Sequence, residues 1–162
     1  MRYLSTPIAA ALMGLALYFA LTWGFAAIEA LTSPAYGLDD IWNSQFFYTL
    51  GRVFGLTPVG LVKLAAFIAT VKLVASAFCA VHVIDRARGA ERPELFEGAL
   101  FLIVAVAFLS VTPAVLSQGG DIVGEQVLQL GFALFAIALC VAERMIDRRA
   151  EEGRPQTVSL SA

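Results

Sequence analysis

The chain has 162 residues, a formal net charge of −2, 59% hydrophobic residues and a mean hydropathy of +0.79. Soluble domains are nearer ~45–50% apolar, and the excess here is gathered into four runs, which places the chain among membrane proteins. No basic stripe points to nucleic acid. The two cysteines, Cys79 and Cys140, lie inside apolar runs, which excludes a disulfide framework and a C-x-x-C redox pair.

The expected fold is an all-α integral membrane protein: a four-transmembrane-helix up-down bundle with a short interfacial helix in the first outer loop. Residues 1–150 form one domain with spans at about 7–28, 58–84, 95–117 and 122–144. Residues 151–162 form a polar tail whose composition predicts disorder.

The first span starts at Pro7, a residue suited to the first helical turn, with Thr6 before it as a cap. It runs to Ile28 without a charge, longer than the ~7–15-residue apolar core of a secretory signal, so a retained helix is expected. Ala16, Ala20 and Gly24 make a stripe of small residues at four-residue spacing, suited to close helix contact.

Ser33-Pro34 and Gly37 stop this helix. In the loop that follows, Asp39 can cap a short helix whose apolar face carries Trp42, Phe46, Leu50 and Val53. With Trp23, Tyr36 and Tyr48 nearby, the pattern reads as a helix in the aromatic belt of the interface. Trp42, Phe46 and Leu50 are thus assigned to the membrane surface or to a partner protein. An irregular loop packed on the bundle is the alternative.

Thr57-Pro58 opens the second span, and Arg86, Arg88 and Gly89 close it. One face holds the smaller residues Ala65, Ala69, Lys72, Ser76, Cys79 and Val83. Another holds the bulkier Leu64, Phe67, Val71, Val74, Phe78 and Val81. The small face is expected to meet protein and the bulky face lipid. Lys72 therefore points inward near mid-span, where a charge costs at least ~2.5–3.5 kcal/mol on insertion scales.

Pro93 opens the third span, with Glu94 and Glu97 in the turns where anions suit the helix dipole. Pro113 is expected to bend it. Gly119-Gly120 makes the next turn, and Asp121 caps the fourth span. Cys79 to Pro93 and Cys140 to Pro155 share Ile-Asp-Arg and a later Arg-Pro. Convergent chemistry at basic helix ends explains this better than a duplicated hairpin.

Arg2, Arg86, Arg88, Arg92, Arg144, Arg148, Arg149 and Arg154 fall on one side of the spans, and Arg52 alone on the other. The positive-inside rule then puts both termini in the cytoplasm of a bacterial-type inner (plasma) membrane.

Three groups of residues could carry function. Lys72 is expected to be met by Glu125, Gln129 or both, with Ser110 or Thr112 within reach. Snorkelling to the outer headgroups and a proton or ion path are the alternatives. Cys79, His82, Cys140 and Glu143 are weak metal-ligand candidates: each pair has three-residue spacing, but they stand on spans that are diagonal in an up-down bundle. A haem held between helices usually needs two axial ligands, and His82 is the only histidine.

No catalytic set, phosphate loop or cofactor motif is visible, so no enzyme activity and no cofactor are expected. The favoured function is an accessory, scaffolding or assembly subunit of a larger membrane complex. The alternative is a small transporter or channel component using Lys72. The expected partners are the lipid bilayer and other integral membrane proteins. A homo-oligomer is compatible with the sequence.

Overall fold

The computed structural model describes residues 7–36, 38, 47–48, 51–90, 92–116 and 120–152, without the side chains of 112–126, 147 and 150–152. Four helices account for most of them: α1 (Pro7–Thr32), α2 (Pro58–Ala87), α3 (Pro93–Leu116) and α4 (Gly120–Glu152). No strand occurs among the described residues. All four helices contain a stretch long and apolar enough to cross a membrane.

The start of α2 follows from its sequence. The hydroxyl of Thr57 accepts the Gly60 N–H at 3.3 Å, and Pro58 occupies the first turn, where no donor is needed. Its end is a Schellman motif. Ala90 N–H donates to the Asp85 carbonyl at 2.9 Å and Gly89 N–H to that of Arg86 at 3.2 Å. Gly89 makes this turn at φ +75°, a conformation in which a side chain is strained.

Helix ends elsewhere run past the expected spans. Helix α1 continues to Thr32, whose hydroxyl bonds back to the Ile28 carbonyl at 2.8 Å. Helix α4 starts at Gly120, so Asp121 lies inside it, and it extends through the charged stretch to Glu152. The apolar run marks the length that suits hydrocarbon. The backbone hydrogen-bond ladder continues through good helix formers such as Glu, Arg and Met until something stops it. Helix α3 continues through Pro113 to Leu116.

Each helix packs on its neighbours in sequence, and α1 also packs on α4. The core is built from a regular stripe on α1, Leu12, Ala16, Phe19 and Trp23, against Ala65, Ile68, Ala75 and Cys79 of α2. Leu100 and Ile103 of α3 and Ala133 and Ala136 of α4 complete it.

On α2 the small face is where the sequence puts it. Ala65, Ala69, Ser76 and Cys79 are buried, and Lys72 is half-buried. Of the bulky face, Phe67, Val74 and Val81 are exposed, while Leu64, Val71 and Phe78 partly pack on the core.

In the first loop, Trp42, Phe46 and Leu50 lie outside the described residues. The described part adds a contact the periodicity did not suggest. Phe47 is buried in the core and Gly51 lies against Leu61, while Val53 and Phe54 are exposed.

The tightest helix contact is between α1 and α2. Ser76 Oγ donates to the Ala20 carbonyl at 2.7 Å, and a Cβ placed on Gly24 would lie 2.8 Å from the same oxygen. The small stripe of α1 is therefore the seat for a cross-helix hydrogen bond. Gly24→Ala should displace the Ser76 hydroxyl and lower stability by about 0.5–1.5 kcal/mol. Ser76→Ala in that background should then cost little more, as read from thermal unfolding in detergent. Additive losses would show that the two positions are not coupled.

Candidate functional site

Within the span, α1, α2 and α4 each contribute one polar group to a common site. Trp23 of α1 is only 2% exposed, on the buried stripe 12, 16, 19, 23. Its indole Nε1 donates to Oε1 of Gln129 on α4 at 3.2 Å. Lys72 of α2 places Nζ over the same indole, 6.0 Å from the ring centroid. Gln129 is 9% exposed, so the amide is held inside the bundle. Trp23 thus carries two roles: its edge donates a hydrogen bond and its face meets a cation.

Magnitudes rank these contacts. A cation over an indole is worth ~0.5–2 kcal/mol, and 6 Å is the outer limit of the interaction. The penalty for an ammonium at mid-span is ~2.5–3.5 kcal/mol on insertion scales. The Trp23 face is one contribution to holding Lys72 and by itself does not offset that penalty. The Trp23–Gln129 bond is worth about 1 kcal/mol, and losing one partner leaves a buried polar group behind.

Of the residues expected to meet Lys72, Gln129 is in this site through Trp23. Glu125 lies in α4, and its side chain is outside the described residues, as is that of Thr112. Ser110 directs its hydroxyl to the Val106 carbonyl of its own helix at 2.8 Å.

Trp23, grouped by the sequence with the aromatic residues near the first loop, faces the inside of the bundle. The signal available in the sequence was its place on the stripe Leu12, Ala16, Phe19, Trp23 and Ala27, spaced by three or four residues. Phe19 meets the Trp23 ring edge-on at 6.5 Å, and beside it Tyr18 packs edge-on against Phe132 of α4 at 5.4 Å.

A second polar layer joins α2, α3 and α4 where the arginines cluster. Arg86 pairs with Glu143, Arg144 pairs with Glu97, and Arg92 approaches Asp85 at 3.9 Å. His82 is buried and stacks on Phe96 with ring centroids 4.4 Å apart. Its Nε2 has no hydrogen-bond partner among the described residues.

The metal-ligand candidates are used differently here. Cys79 is in the core, Cys140 is half-buried, and Glu143 is engaged by Arg86. Among the described residues, no group of three or more His, Cys, Asp and Glu side chains could hold a metal ion.

Comparison of the chain with family models, with curated proteins and with solved structures gives no match.

Two outcomes follow from this geometry. With Trp42→Phe leaving Trp23 as the sole indole, Gln129→Leu should shift its emission to the blue, because the excited indole loses its polar acceptor. An unchanged spectrum would show that the bond does not form. In the second layer, the Arg86 side chain is 12% exposed and that of Arg144 is 56% exposed. Removing one partner of a buried pair costs ~3–5 kcal/mol, whereas an exposed pair is worth ~0–1 kcal/mol. Arg86→Met should therefore lower the unfolding temperature far more than Arg144→Met.

Proposed function

We propose that the chain is a multi-pass protein of a bacterial-type inner membrane, with its helices alternating in direction and both termini in the cytoplasm. Its role in this reading is that of an accessory, scaffolding or assembly subunit of a larger membrane complex. The observation that carries the reading is the uneven enclosure of the helices. Helix α4 buries only Gln129, Ala133 and Ala136 among its described residues, while Leu128, Leu134 and Phe135 are exposed. It packs mainly on α3 and more lightly on α1. An apolar flank of this kind suits a helix of a neighbouring subunit, which associates through packing and inter-helix hydrogen bonds rather than a hydrophobic drive.

The disposition of polar groups supports the same role. Trp23, Gln129 and Ser76 form hydrogen bonds between helices, and Phe19, Leu100 and Ile103 fill the centre. A bundle held together in this way can present a surface. The loop aromatics Tyr48 and Phe54, both exposed, extend that surface. In this reading the loop helix, with Trp42, Phe46 and Leu50, lies at the outer membrane surface or on the partner.

A transporter or channel role is the second reading, favoured by the half-buried Lys72 beside Trp23. Intramembrane ionisable residues commonly mark ion or proton paths.

Purification in mild detergent separates the two. The expected result is a stoichiometric integral membrane partner, lost on Phe135→Ala without a fall in unfolding temperature. A chain that runs alone, and that conducts ions in reconstituted vesicles unless Lys72 is changed to Met, would overturn the accessory role. Orientation is checked by cysteine labelling at Ala90 and Gly120 in a Cys79→Ala, Cys140→Ala background. Labelling of the Gly120 site from the cytoplasm would reverse the orientation.

A further inference from the structure

Helices α3 and α4 do not close on each other along their outer edge. A groove of about 310 Å³ runs between them, walled by Leu100, Phe101 and Val104 on one side and Ile137 and Val141 on the other. That volume is at the small end of the ~300–1,000 Å³ of ligand sites, and its walls run lengthwise along two helices, as a single extended chain would. Phe101 and Val141 are exposed, so the groove opens away from the core. Its polar end is made by Glu97 and Arg144, which pair with each other. From this pair to Val104 and Ile137 is seven residues along each helix, about 10 Å at 1.5 Å per residue. Half of a bilayer core is roughly 15 Å, so the groove follows most of one leaflet.

The polar end carries both signs of charge. Glu94 lies three residues before Glu97 on α3, and Arg148 lies four residues after Arg144 on α4, so each falls on the same face as its mate. Glu94, Arg144 and Arg148 are exposed. Arg144 directs Nη2 to Glu97, and a guanidinium has five N–H donors, so others remain for an anion. A headgroup with only negative charge would meet the arginines but also two carboxylates. A quaternary ammonium has no N–H to donate to those carboxylates. A phosphodiester joined to a primary ammonium complements both.

We infer that the α3–α4 groove binds a phospholipid with a primary ammonium headgroup. One acyl chain lies along Leu100, Val104, Ile137 and Val141, the phosphodiester rests on Arg144, and the ammonium rests on Glu97 and Glu94. The inference rests on the membrane reading above. It concerns the edge lined by Ile137 and Val141, not the flank of Leu128 and Phe135.

The test is lipid retention by the full chain, purified in mild detergent and read by native mass spectrometry. Equimolar phosphatidylethanolamine, phosphatidylglycerol and phosphatidylcholine are added. Phosphatidylethanolamine should be retained about fivefold over each of the others, the size that an exposed charge pair supplies. Val141→Trp fills the groove and should abolish that preference. Glu97→Gln should shift it toward phosphatidylglycerol. Phe25→Trp, on the exposed surface of α1, should leave it unchanged.

Equal retention of the three lipids, preference for phosphatidylglycerol by the unmodified chain, or no effect of Val141→Trp would overturn the site. So would a photo-crosslinker at Ile137 that captures a polypeptide instead of lipid. Extraction of the protein from membranes by alkaline carbonate would overturn the membrane reading itself. Failure of lipid retention in a carbonate-resistant protein would overturn only the groove.

Discussion

The close approach of α1 to α2, through Ala20 and Gly24 on one side and Ser76 on the other, bears on where the polar groups of the span lie. With no side chain at Gly24, the Ser76 hydroxyl reaches the Ala20 carbonyl. That contact fixes the rotation of α1, and Trp23 is adjacent to Gly24 in the chain. The indole then faces inward, in reach of Lys72 on α2 and Gln129 on α4. A larger residue at position 24 would disturb a helix contact and, through it, the polar site one residue away.

Trp23 is suited to this position because its two kinds of surface are used at once. Its ring gives the apolar bulk that a core position needs, its edge donates, and its face attracts a cation. Phenylalanine would supply the first and part of the third. A lysine near mid-span is held in a site that already has structural value, since the same indole ties α1 to α4. Stability and any function of Lys72 are therefore linked through one side chain.

The arginine-rich layer follows different physics. Here the helices leave the apolar stretch, and charged side chains cross between them: Arg86 to Glu143 and Arg144 to Glu97. The deeper Arg86 pair and its buried neighbour His82 are enclosed by α2, α3 and α4. The outer Arg144 pair remains open to its surroundings. Burial separates a pair enclosed between helices from one that stays accessible.

The sequence by itself determined the four membrane-compatible helices, the Thr57-Pro58 start of α2, the Gly89 stop and the small face of that helix. These are local properties: apolar length, capping chemistry and a 3.6-residue period are all readable over a few turns. It also marked Lys72 as a costly residue and put Gln129 forward as a group that could meet it. Only the tertiary structure decided that Trp23 joins them, that Gly24 seats Ser76, and that Phe47 enters the core. Periodicity says which side of a helix is covered, but not by which neighbour or at what height. Trp23 and Gln129 are 106 residues apart, and their bond depends on the relative rotation and depth of two helices. Those are set by packing across the whole bundle, which no local stretch of sequence encodes.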